Sequence, residues 1–124
     1  MREILFRGKK SGKWEYGNLE VFSDDIVFIR YNSGQFIRVI PETVGQFTGK
    51  IDKNGNKIFE GDILCGHCNT VCVITWDYCR AGFIADAGTK IADIDYYFSV
   101  NGEKVDAEVI GNIYDNPELL KQSK

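Results

Sequence analysis

The sequence predicts a mainly β protein. Three observations support this fold class: most segments alternate apolar and polar residues with a period of two, the 124 residues include 13 Gly but only two Pro, and 16 aromatic residues recur in short segments. Short strands about 8–12 residues apart favour a sandwich or a small barrel over parallel βαβ units. With 44% hydrophobic and 27% charged residues, the composition is neither that of a disordered chain nor that of a membrane protein.

The alternation, together with β-branched and aromatic residues, predicts a series of short strands. They are expected at Arg2–Arg7, Trp14–Val21, Asp25–Tyr31, Gln35–Ile40, Phe47–Ile51, Lys57–Phe59, Ile63–Cys65, Thr70–Trp76, Gly82–Asp86 and Ala107–Tyr114, with Ile94–Val100 left open between a strand and one helical turn. Asn and Gly accept positive φ, which predicts turns at Asn32–Gly34, Asp52–Gly55 and Asn101–Gly102. Gly111 marks a candidate bulge in the last strand.

Two short segments carry turn and helix signals. At the reversal before Ile63, Gly61 is expected to supply a backbone geometry that other residues resist, and Asp62 to cap the loop by accepting backbone N–H groups. Near the C-terminus, Asn116 is a good N-cap, and Pro117 and Glu118 suit the first helical positions. A short C-terminal helical turn is therefore predicted.

Hydropathy excludes a membrane helix. No apolar run approaches the roughly 20 residues that a bilayer span requires. The apolar patch Ile4–Phe6 is shorter than the core of a signal peptide, so a cytoplasmic location without membrane partners is expected. In a reducing cytosol the four cysteines are expected to be thiols or metal ligands rather than disulfides.

Charge is divided unevenly along the chain. The net charge of −3 disfavours generic binding to nucleic-acid phosphates. Residues 1–57 hold ten basic and seven acidic groups, a net charge of +3, whereas residues 58–124 hold five basic and eleven acidic groups, a net charge of −6. Random surface composition explains such a division, and so does attraction between the halves of one chain or of two copies.

The cysteines form the most suggestive chemical pattern. Cys65 and Cys68 make a CxxC that could bind zinc, with Cys72 and Cys79 completing a four-thiolate site and His67 as a fifth candidate ligand. The later spacing is not a second CxxC, however, and Cys72 shares a strand face with two apolar residues. Buried, inert thiols are the alternative interpretation, and neither a metal nor a cofactor is predicted.

No catalytic residue emerges from the sequence. Any Ser-His-Asp or Cys-His mechanism would have to use His67, the single histidine. His67 is next to Cys68 in the sequence, but adjacency in sequence does not place two side chains within hydrogen-bonding distance. Asp93 and Asp95 share one face if this segment is a strand, and an exposed acidic surface is then the simpler interpretation. We therefore expect that the chain is not an enzyme.

A basic segment, Arg2–Lys13, raises the question of nucleic-acid binding. It holds five basic groups against one acidic group, and Trp14 and Tyr16 follow it, so that charge and stacking surfaces are adjacent. A solvated hairpin loop would have the same composition. The acidic second half weakens the case, and nucleic acid remains a less favoured partner.

Three blocks together resemble the YopX-like family of small bacteriophage and prophage proteins: the opening MREILFRGK, the central Gln46–Leu64 and the ending Glu108–Leu120. The resemblance implies an N-terminal β-hairpin region, 1–45, followed by an SH3-like β-barrel region, 46–124, with no assigned catalytic residues or cofactor. The leading hypothesis is thus a non-enzymatic phage accessory protein that binds protein, including copies of itself by addition of strands at open sheet edges. A single-stranded nucleic-acid-binding barrel and a zinc-stabilised β domain are the alternatives.

Overall fold

The computed structural model describes residues 3–66, 70–88, 90–94, 98 and 100–121. Within these residues the chain is mainly β and divides into two compact units, Met1–Phe47 and Thr48–Lys124. The expected fold class is therefore confirmed at the level of a mainly β protein. The division into an N-terminal region, 1–45, and a C-terminal region, 46–124, that fold independently stays a prediction.

The first unit is an antiparallel sheet made of consecutive strands. Its elements are β1 (Phe6–Lys10), β2 (Lys13–Ser23), β3 (Ile26–Arg30), β4 (Phe36–Val39), a 3-10 helix at Pro41–Thr43, and the start of β5 (Gly45–Ile51). The strand β1 pairs with both β2 and β5, while the far half of the long strand β2 pairs with β3, and β3 pairs with β4. The predicted opening strand, Arg2–Arg7, was placed too early, because pairing with β2 starts only at Phe6.

Alternation along these strands builds the core of the first unit. Val27, Ile29 and Val39 are buried on one face, and partly buried apolar residues from the neighbouring strands pack against them. Gly17 permits a close approach of β2 to β3, since a Cβ atom there would lie 2.5 Å from the carbonyl oxygen of Arg30. The packing of these two strands therefore depends on this glycine.

The second unit contains the remaining strands and a short α-helix near the C-terminus. They are β6 (Lys57–Phe59), β7 (Asp62–Cys65), β8 (Val71–Asp77), β9 (Gly82–Asp86), β10 (Ile91–Asp93), β11 (Val100–Asn101), β12 (Lys104–Val105), β13 (Glu108–Asn112) and α1 (Glu118–Lys121). Five of the strands form an antiparallel sheet in the order β10-β9-β8-β7-β13, and the second half of β5 pairs with β6 and β12. The predicted strand at Gly82–Asp86 matches β9 residue for residue.

The core of this unit lies on one face of the five-stranded sheet. Leu64, Cys72, Ile74 and Ala85 have no exposed surface there and pack with residues from the other strands of the unit. The last strand, β13, lies beside β7, but the described strands do not close into a barrel, so the SH3-like barrel is not confirmed.

The predicted C-terminal helical turn is confirmed at Glu118–Lys121, but Asn116 does not have the predicted role as its N-cap. The side-chain oxygen of Asn116 accepts the N–H of Asn112 at 3.2 Å, so it ties β13 to the loop that precedes the helix. The pairing of β13 with β7 shifts between Val109 and Gly111, which confirms a bulge in the last strand, with Ile110 as the extra residue directly before Gly111. No helix among the described residues is long and apolar enough to cross a membrane.

Candidate functional site

Three phenylalanine rings form a continuous row on the outer face of the sheet of the first unit. Phe22 comes from β2, Phe28 from β3 and Phe36 from β4; the ring centroids of Phe22 and Phe28 are 5.0 Å apart, and those of Phe28 and Phe36 are 6.0 Å apart. Phe22 is 69% exposed and Phe36 is 46% exposed. We call these three residues the aromatic face.

Strand register explains why these rings face solvent. Because Val27 and Ile29 point into the core, the intervening Phe28 points to the opposite face. On β4, the residue paired with Arg30 is Phe36, which places it on that same outer face. On β2, pairing with β3 shifts between Val21 and Ser23. Phe22 is therefore the extra residue of a bulge, a feature that redirects a side chain.

Charged side chains of both signs accompany the aromatic face. Glu20 and Arg38 both pair with Phe28 across the sheet, and Arg30 pairs with Phe36. The Nε of Arg30 donates to the Oε1 of Glu20 at 2.9 Å, in a pair that is about one-third exposed. An aromatic surface bordered by charged groups is typical of a contact site for another macromolecule.

The aromatic face is not evident from the sequence alone. Alternation predicts the strands Asp25–Tyr31 and Gln35–Ile40, but not which side of each strand is covered. The sequence does carry a signal for it: Phe28 and Arg30 lie on the same face of one predicted strand, and Phe36 and Arg38 on the same face of the next. An arginine on the same face as a phenylalanine indicates that this face is not buried.

The predicted basic segment is not one surface. Arg7 is only 5% exposed, with its guanidinium carbon 4.4 Å from the ring centroid of Trp14, and the ammonium of Lys9 lies 5.4 Å from the same ring. The indole is therefore already engaged in cation–π contacts. Lys10 and Lys13 are exposed and pair at the hairpin end, while the start of the segment, Arg2, lies outside the described residues.

The cysteines lie in different environments. Cys65 is half-buried at the end of β7, whereas Cys72 is fully buried in β8, and burial raises the pKa of its thiol to about 12. Cys79 is exposed in the turn after β8, and the five extended steps from Cys72 to Asp77, at the end of β8, alone span roughly 17 Å. Cys72 and Cys79 therefore cannot complete one four-thiolate site. Cys68 and His67 lie outside the described residues, among which no group of three or more metal-ligating side chains occurs.

Two buried carboxylates fix turns in the second unit. Asp52 has no exposed surface; its Oδ1 accepts the backbone N–H groups of Asn54 at 2.9 Å and Asn56 at 2.8 Å, and its Oδ2 accepts that of Val109 at 3.0 Å. Burial alone would raise the pKa of Asp52, but these hydrogen bonds outweigh it and lower the pKa below its ordinary value. The sequence predicted the turn but not this anchor to β13.

The second carboxylate confirms an expectation from the sequence. The Oδ2 of Asp62 accepts the N–H of Phe59 at 2.7 Å, and Gly61 has a φ of 95°, so both residues have the predicted roles in the reversal. Asp93 lies exposed on β10, and its predicted companion Asp95 falls outside the described residues.

The fold and the site together define a class: a small protein of two β units whose first unit presents an exposed aromatic sheet face. The model of the YopX protein family matches residues 13–121, so the chain belongs to the YopX family. The expected family is therefore confirmed.

The comparisons with individual proteins bear on the fold alone. The crystal structure of protein EF1440 from Enterococcus faecalis is similar to this chain, with a TM-score of 0.60 and 24% sequence identity over 97% of this chain and 99% of that one. The chain matches none of the curated proteins.

Proposed function

We propose that this protein is a protein-binding module that associates first of all with a second copy of itself, through the aromatic face. The observation that supports this proposal is the exposure of Phe22 and Phe36 on either side of Phe28. Apolar rings gathered in one exposed row are stabilised when a partner removes them from water.

The charges beside the rings favour a second copy as the partner. In a two-fold arrangement the same patch meets itself, so each face must offer both signs of charge. Glu20 is acidic, and Arg30 and Arg38 are basic, so one copy can place its Glu20 against Arg38 of the other. A single-sign patch would repel its own copy.

The exposed area sets the strength of the association. A phenylalanine presents about 200 Å² when fully exposed, so the exposed fractions of Phe22 and Phe36 amount to roughly 230 Å² per chain. A stable interface buries about 800 Å² per partner. We therefore expect a weak association that depends on protein concentration.

Analytical ultracentrifugation from micromolar to millimolar protein tests the proposal. The sedimentation coefficient of the unaltered chain should rise with concentration, and the double variant Phe22→Ser/Phe36→Ser should remain monomeric. The matched control is Tyr78→Ser/Ile91→Ser, which removes two exposed apolar side chains from the second unit. A strictly monomeric chain at all concentrations, or equal effects of the two double variants, would contradict the proposal.

The proposal includes a non-enzymatic role. For one candidate nucleophile, Cys72, burial raises the pKa of the thiol to about 12, so this residue stays protonated and weakly nucleophilic at neutral pH. The proposal also includes the phage or prophage origin and the SH3-like class that the family resemblance implied, and the cytoplasmic location expected from the short apolar patch Ile4–Phe6. Retention of an oligothymidylate on a filter, sensitive to salt and lost in Lys9→Glu/Lys10→Glu, would instead favour single-stranded nucleic acid as the partner.

A further inference from the structure

The second unit has a cleft of about 570 Å³ that is independent of the aromatic face. This volume lies within the roughly 300–1,000 Å³ of ligand sites in proteins. The residues that line it come from β5, β9, β10, the position directly after β10 and the turn before β9: Thr48, Lys50, Arg80, Phe83, Asp93 and Ile94. The lining thus combines an aromatic ring with three charged groups.

The charges of the cleft favour a singly charged anion. Lys50 and Arg80 are cationic and Asp93 is anionic, so the lining carries one net positive charge. A carboxylate matches this balance, and a phosphate dianion would add a second negative charge close to Asp93. A guanidinium also matches the planar geometry of a carboxylate.

Arg80 is held in place by its own turn. Its Nη1 lies 3.1 Å from the Oδ2 of Asp77, whose Oδ1 accepts the N–H of Cys79 at 2.9 Å. The Nε of Arg80 is 4.0 Å from the Oδ1 of Asp93, too long for a hydrogen bond. The guanidinium is therefore positioned by Asp77 and keeps further N–H groups for a ligand.

An open strand edge borders the cleft. The N–H of Ala87 donates to the carbonyl of Lys90 at 2.9 Å, and Ala85 pairs with Ala92 two residues further along the antiparallel strands. Because hydrogen-bonded pairs alternate in such a ladder, the backbone groups of Ile91 and Asp93 point away from β9. Among the described strands, β10 pairs with β9 alone, so this edge can accept another strand.

We propose that β10 and the cleft bind an extended peptide segment, which adds a strand along Ile91–Asp93 and places a carboxylate side chain at Lys50 and Arg80. An apolar residue beside the carboxylate packs against Phe83 and Ile94. Backbone pairing supplies affinity that does not depend on peptide sequence, and the cleft supplies the preference for an acidic residue. This site uses none of the residues of the aromatic face.

Fluorescence anisotropy with a labelled peptide, Ser-Val-Glu-Val-Ser with a terminal amide, tests the site. The experiment uses the Phe22→Ser/Phe36→Ser chain, so that self-association does not contribute and the two proposals fail separately. The peptide should bind about tenfold more tightly than its counterpart with Gln in place of Glu, because only the carboxylate can form charge-assisted hydrogen bonds. Equal binding of the two peptides, or none at about 1 mM, would overturn the proposal.

Variants separate the two parts of the site. Arg80→Gln and Lys50→Gln should each abolish the preference for Glu over Gln, whereas the control Lys53→Gln removes an exposed cation of the same unit and should leave it unchanged. Ile91→Pro places proline where the N–H points outward, so it should block peptide addition without breaking the pairing of β10 with β9. Unaltered peptide binding by Ile91→Pro would overturn the strand addition.

A free small molecule could supply the same carboxylate. N-acetyl-leucine carries a carboxylate and an apolar side chain but cannot extend the sheet. We expect it to displace the labelled peptide only at concentrations at least tenfold above those of the unlabelled peptide, and inorganic phosphate to displace it even less. Displacement by N-acetyl-leucine at equal concentration would contradict a peptide as the ligand.

Discussion

Replacing Asp52 by asparagine should destabilise the second unit more than any surface substitution. The carboxylate accepts three backbone N–H groups, and the amide of Asn56 donates to its Oδ2 at 3.2 Å. An asparagine that keeps its oxygen at the Oδ1 position turns an NH₂ group toward the N–H of Val109 and the amide of Asn56. Two donors then lose their acceptor, and at about 1–1.5 kcal/mol each the loss is about 2–3 kcal/mol.

Urea denaturation measures this loss. In a Trp14→Phe background the remaining tryptophan, Trp76, reports on the second unit alone. The midpoint should fall by roughly 1–3 M, given a slope of about 1–3 kcal/mol per M for a small protein. The control Asp24→Asn changes the same charge at an exposed position of the first unit. A midpoint for Asp52→Asn equal to that of the control would refute the role of Asp52 as an anchor.

Three further outcomes follow from burial and backbone geometry. Because the folded-state pKa of Asp52 is lowered, its contribution is fully present above the ordinary value of 3.8 and is lost as the pH falls through the folded pKa, so urea midpoints of the unaltered chain and Asp52→Asn should converge in acid. Gly17→Ala should destabilise the first unit by about 1–3 kcal/mol, measured by urea denaturation with Trp14 as reporter, because the new Cβ meets the Arg30 carbonyl; a neutral effect would contradict the close approach. Ellman's reagent should modify Cys79 within seconds and Cys72 only after unfolding, and rapid labelling of Cys72 in the native chain would contradict its burial. Because burial raises the pKa of Cys72 from 9.0 to about 12, the stability that depends on its neutral thiol should be lost as the pH rises from 9 toward 12.

Local patterns were sufficient to predict most strands and turns. Segments such as Gly82–Asp86 and the Asp52–Gly55 turn carry their signals within a few residues, since alternation and positive φ are local properties. The reversal at Gly61 and Asp62 was predictable for the same reason. Such signals identify elements, and through them the mainly β class.

The contacts that could not be predicted from the sequence are those set by the pairing of distant strands. Arg7 reads as part of a basic surface, but pairing of β1 with both β2 and β5 buries it against Trp14. Val109 meets Asp52 across 57 residues of sequence, a distance at which no local pattern applies. The charge division shows the same effect: divided at the boundary between the units, residues 1–47 hold seven basic and six acidic groups, a net charge of +1, and residues 48–124 hold eight basic and twelve acidic groups, a net charge of −4. Attraction between oppositely charged halves is thus less favoured by the division between the units than by the division at residue 57.

The residues that identify the family differ in kind from those that we propose to carry function. The central block, Gln46–Leu64, contains both Asp52 and Asp62, whose carboxylates are occupied by backbone N–H groups. A sequence signature made of such residues indicates a shared fold, because each of these carboxylates stabilises a turn. The aromatic face lies instead on Phe22, Phe28 and Phe36, outside that block, and its three rings are not part of the core of the first unit. If partner choice depends on that exposed face, members of the family can share the turns of the second unit while binding different partners.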